Sequence, residues 1–312
     1  MLAYPDVAKR NILSMQDFSN DDVQEVIKRA EDFKHGAKIE LAEPVYVANL
    51  FFENSTRTHS SFEMAEHKLG LTLIDFDPQH SSVTKGETLH DTLLTLNSVG
   101  VNIAVIRHSQ EEYYTPLVKA PDLDIAIVNA GDGAGEHPSQ SMLDLMTIHE
   151  HFGHFAGLKV LICGDISHSR VARSNAEILQ RLGATLEFAG PEQWYDSAFD
   201  RYGKHTTIDA AVADADVVMV LRVQHERHDP SESFTASQYR AKYGLTDARA
   251  IQMKREAIIM HPGPINRGVE LDSDLVANPQ CMFAQQMRNG VFVRMALLER
   301  VMKVRKLGGL HE

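Results

Sequence analysis

At 312 residues the chain is longer than one ordinary domain, since single cores stop growing near ~250 residues, so two domains with a site in the cleft between them are expected. Hydrophobic residues make up 43% and charged residues 24%, which excludes a disordered chain and supplies a core. A formal charge of -12 argues against nucleic acid or an anionic membrane as partner, and an anionic substrate would need locally concentrated arginines.

Residues 1–10 contain no apolar core of an export signal, and no stretch approaches the ~18 apolar residues that span a bilayer. Cys163 and Cys281 sit in apolar runs without C-x-x-C spacing, which suits a reducing cytoplasm and no disulfide framework. Along the chain, an apolar run over 45–52 precedes a helix-period segment over 55–69 stopped by Gly70. Another run over 71–76 precedes a helical segment over 88–99. Strand-like runs follow at 101–106 and 125–128, then a helical stretch over 139–152. A second unit opens with a strand at 158–163, a helix over 170–182 stopped by Gly183, and strands at 185–188, 217–221 and 257–260. The segment 283–306 carries helical spacing through Phe292, Met295, Leu298 and Met302 and is expected to cover the first unit's core. Strands alternating with helices predict an α/β protein of two doubly wound parallel-sheet domains, 1–137 with 287–312 and 138–286. Such folds bind ligands outside the carboxyl ends of their strands.

The first such end reads Glu53-Asn54-Ser55-Thr56-Arg57-Thr58 and opens a helix directly. A simple N-cap needs one Ser or Thr. Three hydroxyls and a guanidinium at a helix N-terminus suit a phosphate instead, because free N–H groups and the helix dipole already favour an anion there. His137 follows the glycine-rich stretch 130–136 and precedes Pro138, a strand-to-helix position that favours function over a buried structural histidine. Arg170 and Arg222 follow runs that read as buried strands, and their planar forks suit two carboxylates, with Gln224 as a neutral donor. The ordinary fate of such an arginine is a surface ion pair. Lys85 in a loop is ordinarily just solvated.

Two other functions can be weighed on the same residues. Gly131-Asp132-Gly133-Ala134-Gly135 suggests a dinucleotide turn, but Glu136-His137-Pro138 fill the place of the third glycine, and the region about twenty residues on offers His151-Phe152-Gly153-His154 instead of an acidic strand end. His149, His151 and His154 suggest a zinc site, but 149 and 151 face different directions on a helix, and no partner motif accompanies them. His225, His228 and Asp229 invite the same idea and the same answer. Neither a metal nor a cofactor is expected.

Phe52-x-x-Ser55-Thr56-Arg57-Thr58 resembles the carbamoyl phosphate signature of the aspartate/ornithine carbamoyltransferase family. Further matches follow in family order: Ser81-x-x-x-Lys85-Gly86-Glu87-Thr88, Arg107-His108, His137-Pro138-Ser139-Gln140, Gly164-Asp165-x-x-x-Ser169-Arg170, Arg222-Val223-Gln224 and His261-Pro262-Gly263-Pro264. Together they cover nearly the whole chain. The resemblance implies that the 1–137 domain binds carbamoyl phosphate and the 138–286 domain binds aspartate. It implies that Ser55, Thr56, Arg57 and Thr58 hold the phosphate and that Thr58, Arg107 and His137 surround the carbonyl oxygen. Gln140 and the carbonyls of Gly263 and Pro264 would grip the carbamoyl NH2. Arg170 would take the α-carboxylate of aspartate, and Arg222 with Gln224 the β-carboxylate. Ser81 and Lys85 would reach a neighbouring subunit's site, which implies a homotrimer with shared sites, and Glu87 would face Arg57 across that interface. The implied reaction carbamoylates the amino group of L-aspartate, an early step of de novo pyrimidine synthesis.

The ornithine branch carries a cysteine in the His-x-x-Pro turn, where this chain has Pro262, and it has a Ser-Met-Gly loop that this chain lacks. Asn54, His59 and Gly263 depart from the residues common in the family, although no implied ligand is lost. Gly263 with Asn266-Arg267-Gly268-Val269-Glu270 resembles the branch whose trimers act without regulatory chains, so such chains are not indicated.

Overall fold

A computed structural model describes residues 9–133, 135–223 and 234–311. The chain divides into two units, Met1–Leu143 with Met287–Glu312, and Asp144–Gln286. All strand pairings within both sheets are parallel.

In the first unit the strands are β1 (Tyr46–Phe51), β2 (Thr72–Ile74), β3 (Ile103–His108) and β4 (Ala126–Asp132), in the order β2-β1-β3-β4. β1 and β3 are buried on both faces along most of their length, as in a covered parallel sheet. Leu50, Ala104, Ile106 and Ile127 pack with Leu93 and Leu96, and each large side chain so buried contributes about 1.5–3 kcal/mol. Those two leucines belong to α3 (Leu89–Ser98), while α2 (Thr56–Leu69) ends at Gly70 with a φ of 76°.

Helix α1 (Asn20–Lys34) lies outside the apolar runs read from the sequence. Its signal is a capping box, Ser19 with Asp22, and a buried stripe of Val23, Val26, Ile27, Ala30 and Phe33 at helical spacing. β4 also runs further than its apolar stretch, through Gly131 to Asp132, because Asn129 satisfies its buried amide on the Leu13 carbonyl at 2.9 Å.

In the second unit β5 (Lys159–Cys163), β6 (Thr185–Ala189), β7 (Gly203–Thr206), β8 (Val217–Val220) and β9 (Ile258–Met260) are ordered β7-β6-β5-β8-β9. Two helices of this unit are α5 (Arg170–Arg181) and α6 (Ala236–Tyr243). Cys163 and Cys281 are both free, and burial raises the Cys163 thiol well above its ordinary range. Both unit boundaries fall inside long helices, α4 (Pro138–Phe152) and α7 (Phe283–Arg305). In the first unit, α7 sends Arg294 to the Ser61 hydroxyl at 3.0 Å, and Glu299 accepts two bonds from Arg29 at 2.6 and 2.8 Å. Among the described residues no helix is long and apolar enough to cross a membrane.

Candidate active site

The strand order sets the polar turns of the first unit side by side. Ser81 and Lys85 follow β2, Ser55 to Thr58 follow β1, Arg107 lies in β3 beside Phe51, and His137 and Gln140 follow β4. Arg107's carbonyl accepts from the Phe52 amide at 2.9 Å, which joins the two middle turns directly.

Ser55 occupies the N-cap of α2, yet its side chain makes no capping hydrogen bond. Ser19, Thr88, Ser169 and Thr235 do cap the helices they precede. The turn after β1 therefore leaves hydroxyl and first-turn amide donors for a ligand, the arrangement an anion needs. Thr58 is buried, whereas Thr56 and Arg57 are exposed.

Arg107 is 11% exposed, with Nε 3.3 Å from Glu53 and Nη1 donating to the Ala130 carbonyl at 3.3 Å. Its guanidinium thus lies between the turn after β1 and the end of β4. Burial lowers the pKa of neighbouring His108, which favours its neutral form. His137 and Gln140 are buried, and the His137 carbonyl accepts from the Gln140 and Ser141 amides at 2.9 and 3.1 Å as α4 begins.

Asp132 organises the approach to His137. Its fully buried carboxylate accepts from the amides of Glu136 at 2.6 Å and Glu112 at 2.7 Å, and from Asn129 Nδ2 at 3.2 Å. Gly133 donates to the His108 carbonyl at 2.9 Å. One carboxylate therefore ties the segment carrying His137 to the segment after Arg107.

In the second unit, Arg170 opens α5 after β5, and Arg222 follows β8, the strand beside β5. Gly164 allows this closeness: its φ is 129°, and a Cβ there would stand 3.0 Å from the Leu221 carbonyl oxygen and Cβ. Leu221 donates to the Cys163 carbonyl at 2.7 Å, and Val223 packs on Trp194 and Tyr239, so Arg222 is anchored on both sides. Both arginines are half-buried. Gln224, with His225, His228, Asp229 and Ala134, lies outside the described residues.

Gly263 and Pro264 follow β9. Gly263 has a φ of 69°, which favours glycine, and donates to His261 Nδ1 at 2.8 Å. His261 Nε2 then faces Glu270 at 3.2 Å. Ser81 donates to the Pro78 carbonyl at 3.0 Å, Lys85 is exposed, and Glu87 accepts from Thr92 at 3.2 Å within the chain. His151 reaches the Glu256 carbonyl at 2.9 Å, His154 the Ala156 carbonyl at 3.2 Å, and His149 lies against Phe155. No group of three metal-binding side chains occurs among the described residues.

Glu53 and Asp132 were not legible as site residues from sequence. Glu53 stood inside the phosphate-like turn, but no spacing linked it to Arg107; Asp132 was one letter of a glycine-rich stretch.

Fold and edge together define a two-unit parallel α/β protein whose first sheet carries a row of polar turns along one edge. Residues 10–150 match the carbamoyl-phosphate-binding domain of aspartate/ornithine carbamoyltransferases, and residues 156–301 match the aspartate/ornithine-binding domain. The catalytic subunit of aspartate carbamoyltransferase from Lactobacillus delbrueckii subsp. bulgaricus is 58% identical over 312 residues, covering 98% of each chain. That of Streptococcus gordonii is 55% identical over 300 residues, covering 96% of this chain and 98% of its own. Trypanosoma cruzi aspartate transcarbamoylase, solved with carbamoyl aspartate and phosphate, superposes with a TM-score of 0.83 at 31% identity, over 92% of this chain and 94% of that one. The catalytic subunit of the M. jannaschii aspartate transcarbamoylase gives 0.82 at 30%, over 94% and 98%. The chain belongs to the aspartate/ornithine carbamoyltransferase family.

Proposed function

We propose that the chain is an aspartate carbamoyltransferase that moves the carbamoyl group of carbamoyl phosphate onto the amino group of L-aspartate, releasing phosphate. The observation that carries this reading is the row of Ser55 to Thr58, Arg107 and His137 along one sheet edge, in a chain 58% identical to aspartate carbamoyltransferase catalytic subunits. The relatives described above are aspartate carbamoyltransferase catalytic subunits, which favours aspartate over ornithine, and Arg170 with Arg222 suits a dicarboxylate.

Attack of the amine on the carbonyl carbon puts negative charge on the carbonyl oxygen. Thr58, Arg107 and His137 donate to that oxygen, and because they are already held in place, little reorganisation is needed at the transition state. Collapse breaks the C–O bond to phosphate, which leaves as hydrogen phosphate with the proton that the attacking nitrogen gives up, and its growing charge meets Ser55, Thr56, Arg57 and the first-turn amides of α2. Gln140 and the Gly263 and Pro264 carbonyls orient the carbamoyl NH2, and Arg170, Arg222 and Gln224 hold aspartate. No cofactor or metal is required.

The reading extends to a cytoplasmic homotrimer in which Ser81 and Lys85 complete a neighbour's site, supported by the family resemblance of that loop. Formation of carbamoyl aspartate, with ornithine as control substrate, tests the activity; turnover of ornithine alone would overturn it. Sharing is tested by refolding Lys85→Ala and Arg57→Ala chains together. Mixed trimers should regain a sizeable part of the activity that each parent lacks, and inactive mixed trimers would mean that Lys85 acts in its own subunit or not at all.

A further inference from the structure

Behind the anion-binding turn, the strand that enters it and the helix that leaves it are joined by one buried polar pair. Asn49 of β1 donates from Nδ2 to Glu66 Oε2 on α2 at 2.8 Å. Asn49 is 8% exposed and Glu66 0%. Each side chain has one further oxygen, Asn49 Oδ1 and Glu66 Oε1, and both are buried without a hydrogen-bond partner. Two acceptors that both lack a donor are costly in a protein interior.

A single proton removes that cost. An ionised carboxylate only accepts, whereas a protonated one carries an O–H donor. With the proton on Oε1, the carboxyl donates to Asn49 Oδ1 while accepting from Nδ2, and both orphan acceptors are satisfied in a reciprocal pair. We propose that Glu66 is a positioning residue for the anion-binding turn: protonated, it closes this carboxyl–carboxamide pair with Asn49, and deprotonated, it releases it. The pair spans the two elements that flank residues 53–58, so opening it loosens the angle between the end of β1 and the donors at the start of α2. A phosphate held by several fixed donors is sensitive to that angle.

The surroundings favour the proton. Burial is the main cause that pushes the Glu66 carboxyl up to about 7, the Asn49 hydrogen bond lowers it, and Glu63 on the same helix raises it further. Glu63 is itself 3.4 Å from His59. β1 presents the neutral Asn49, and β2 contributes only Thr72, Leu73 and Ile74. From α7, Arg294 turns to Ser61 and the Gly290 carbonyl and lies 4.9 Å over the Phe62 ring.

This inference rests on the reading of residues 55–58 as a phosphate site, and inorganic phosphate separates the two. Its affinity is measured from pH 6 to pH 9 for the full-length wild type and for Glu66→Gln, whose side-chain amide keeps both hydrogen bonds but cannot ionise. Phosphate's own ionisation is common to both and cancels in the ratio of their dissociation constants. That ratio should be near one at pH 6 and should rise as the carboxylate fills, by up to about tenfold per pH unit above neutrality, with wild type the weaker binder. A ratio flat with pH overturns the role of Glu66, while absence of phosphate binding at any pH overturns the phosphate site itself. Should Glu66→Gln not fold, carboxyl-carbon NMR of wild type decides. A glutamate that titrates near neutrality and whose transition moves up when phosphate binds supports the inference; none titrating between pH 6 and 8 overturns it.

Discussion

The two sheets present their carboxyl edges differently. In the first unit three groups are held by cross-ties or burial, Arg107 between Glu53 and the Ala130 carbonyl, His137 behind the Asp132 knot, and Thr58 below the surface, while Thr56 and Arg57 are exposed beside them. In the second unit Arg170 and Arg222 stand half-exposed on adjacent strand ends, and the backbone, through Gly164 and Leu221, sets their places. Fixed donors suit a charge that develops in a transition state, while accessible forks suit a substrate that must be recognised. Under the proposed function, the difference assigns the chemistry to one edge and the choice of acceptor to the other.

Substitutions on the two edges should therefore separate kcat from KM. The largest loss is expected for Arg57→Ala, about 10³-fold in kcat, because its charge meets a leaving phosphate that is more negative in the transition state than in the ground state. An unaltered kcat in steady-state assays would remove the phosphate role from Arg57. Arg222→Ala should act on the other edge, weakening kcat/KM for aspartate by about 30-fold, or ~2 kcal/mol, with carbamoyl phosphate binding nearly intact. Equal damage to both substrates would erase the contrast between the edges.

Asp132→Asn should cost less, about tenfold in kcat, with phosphate affinity held. It sets an NH2 against one of two backbone donors, so the segment carrying His137 shifts while the turn after β1 does not. Loss of phosphate binding in this variant would mean that the knot supports the whole edge.

The smallest effect on activity belongs to Glu66→Gln below neutrality, where it should be absent, although stability should separate. The folded-state pKa is about 7, raised from 4.5, so folding favours the neutral acid. Wild-type stability relative to the variant is thus fully present below pH 4.5 and is lost as pH rises through about 7. The loss reaches about 3 kcal/mol and is constant above that. Denaturant titrations across that window check it, and parallel curves would show that the carboxyl is ionised when folded.

From sequence alone came the alternation that makes two parallel sheets, the turn at Ser55 to Thr58, and the candidates at His137, Arg170 and Arg222, because period and local composition carry that information along the chain, whereas Arg107 came only with the family resemblance. That Ser55 makes no capping hydrogen bond was visible only in the structure. The strand order, and so the fact that β1, β3 and β4 lie beside one another, was decided only by tertiary pairing. The same holds for Glu53 with Arg107, for the Asp132 knot, and for Asn49 with Glu66, residues 17 apart in sequence that meet across strand and helix. Each depends on burial, which removes water as the competing partner and turns an ordinary polar letter into a group whose partner and proton matter.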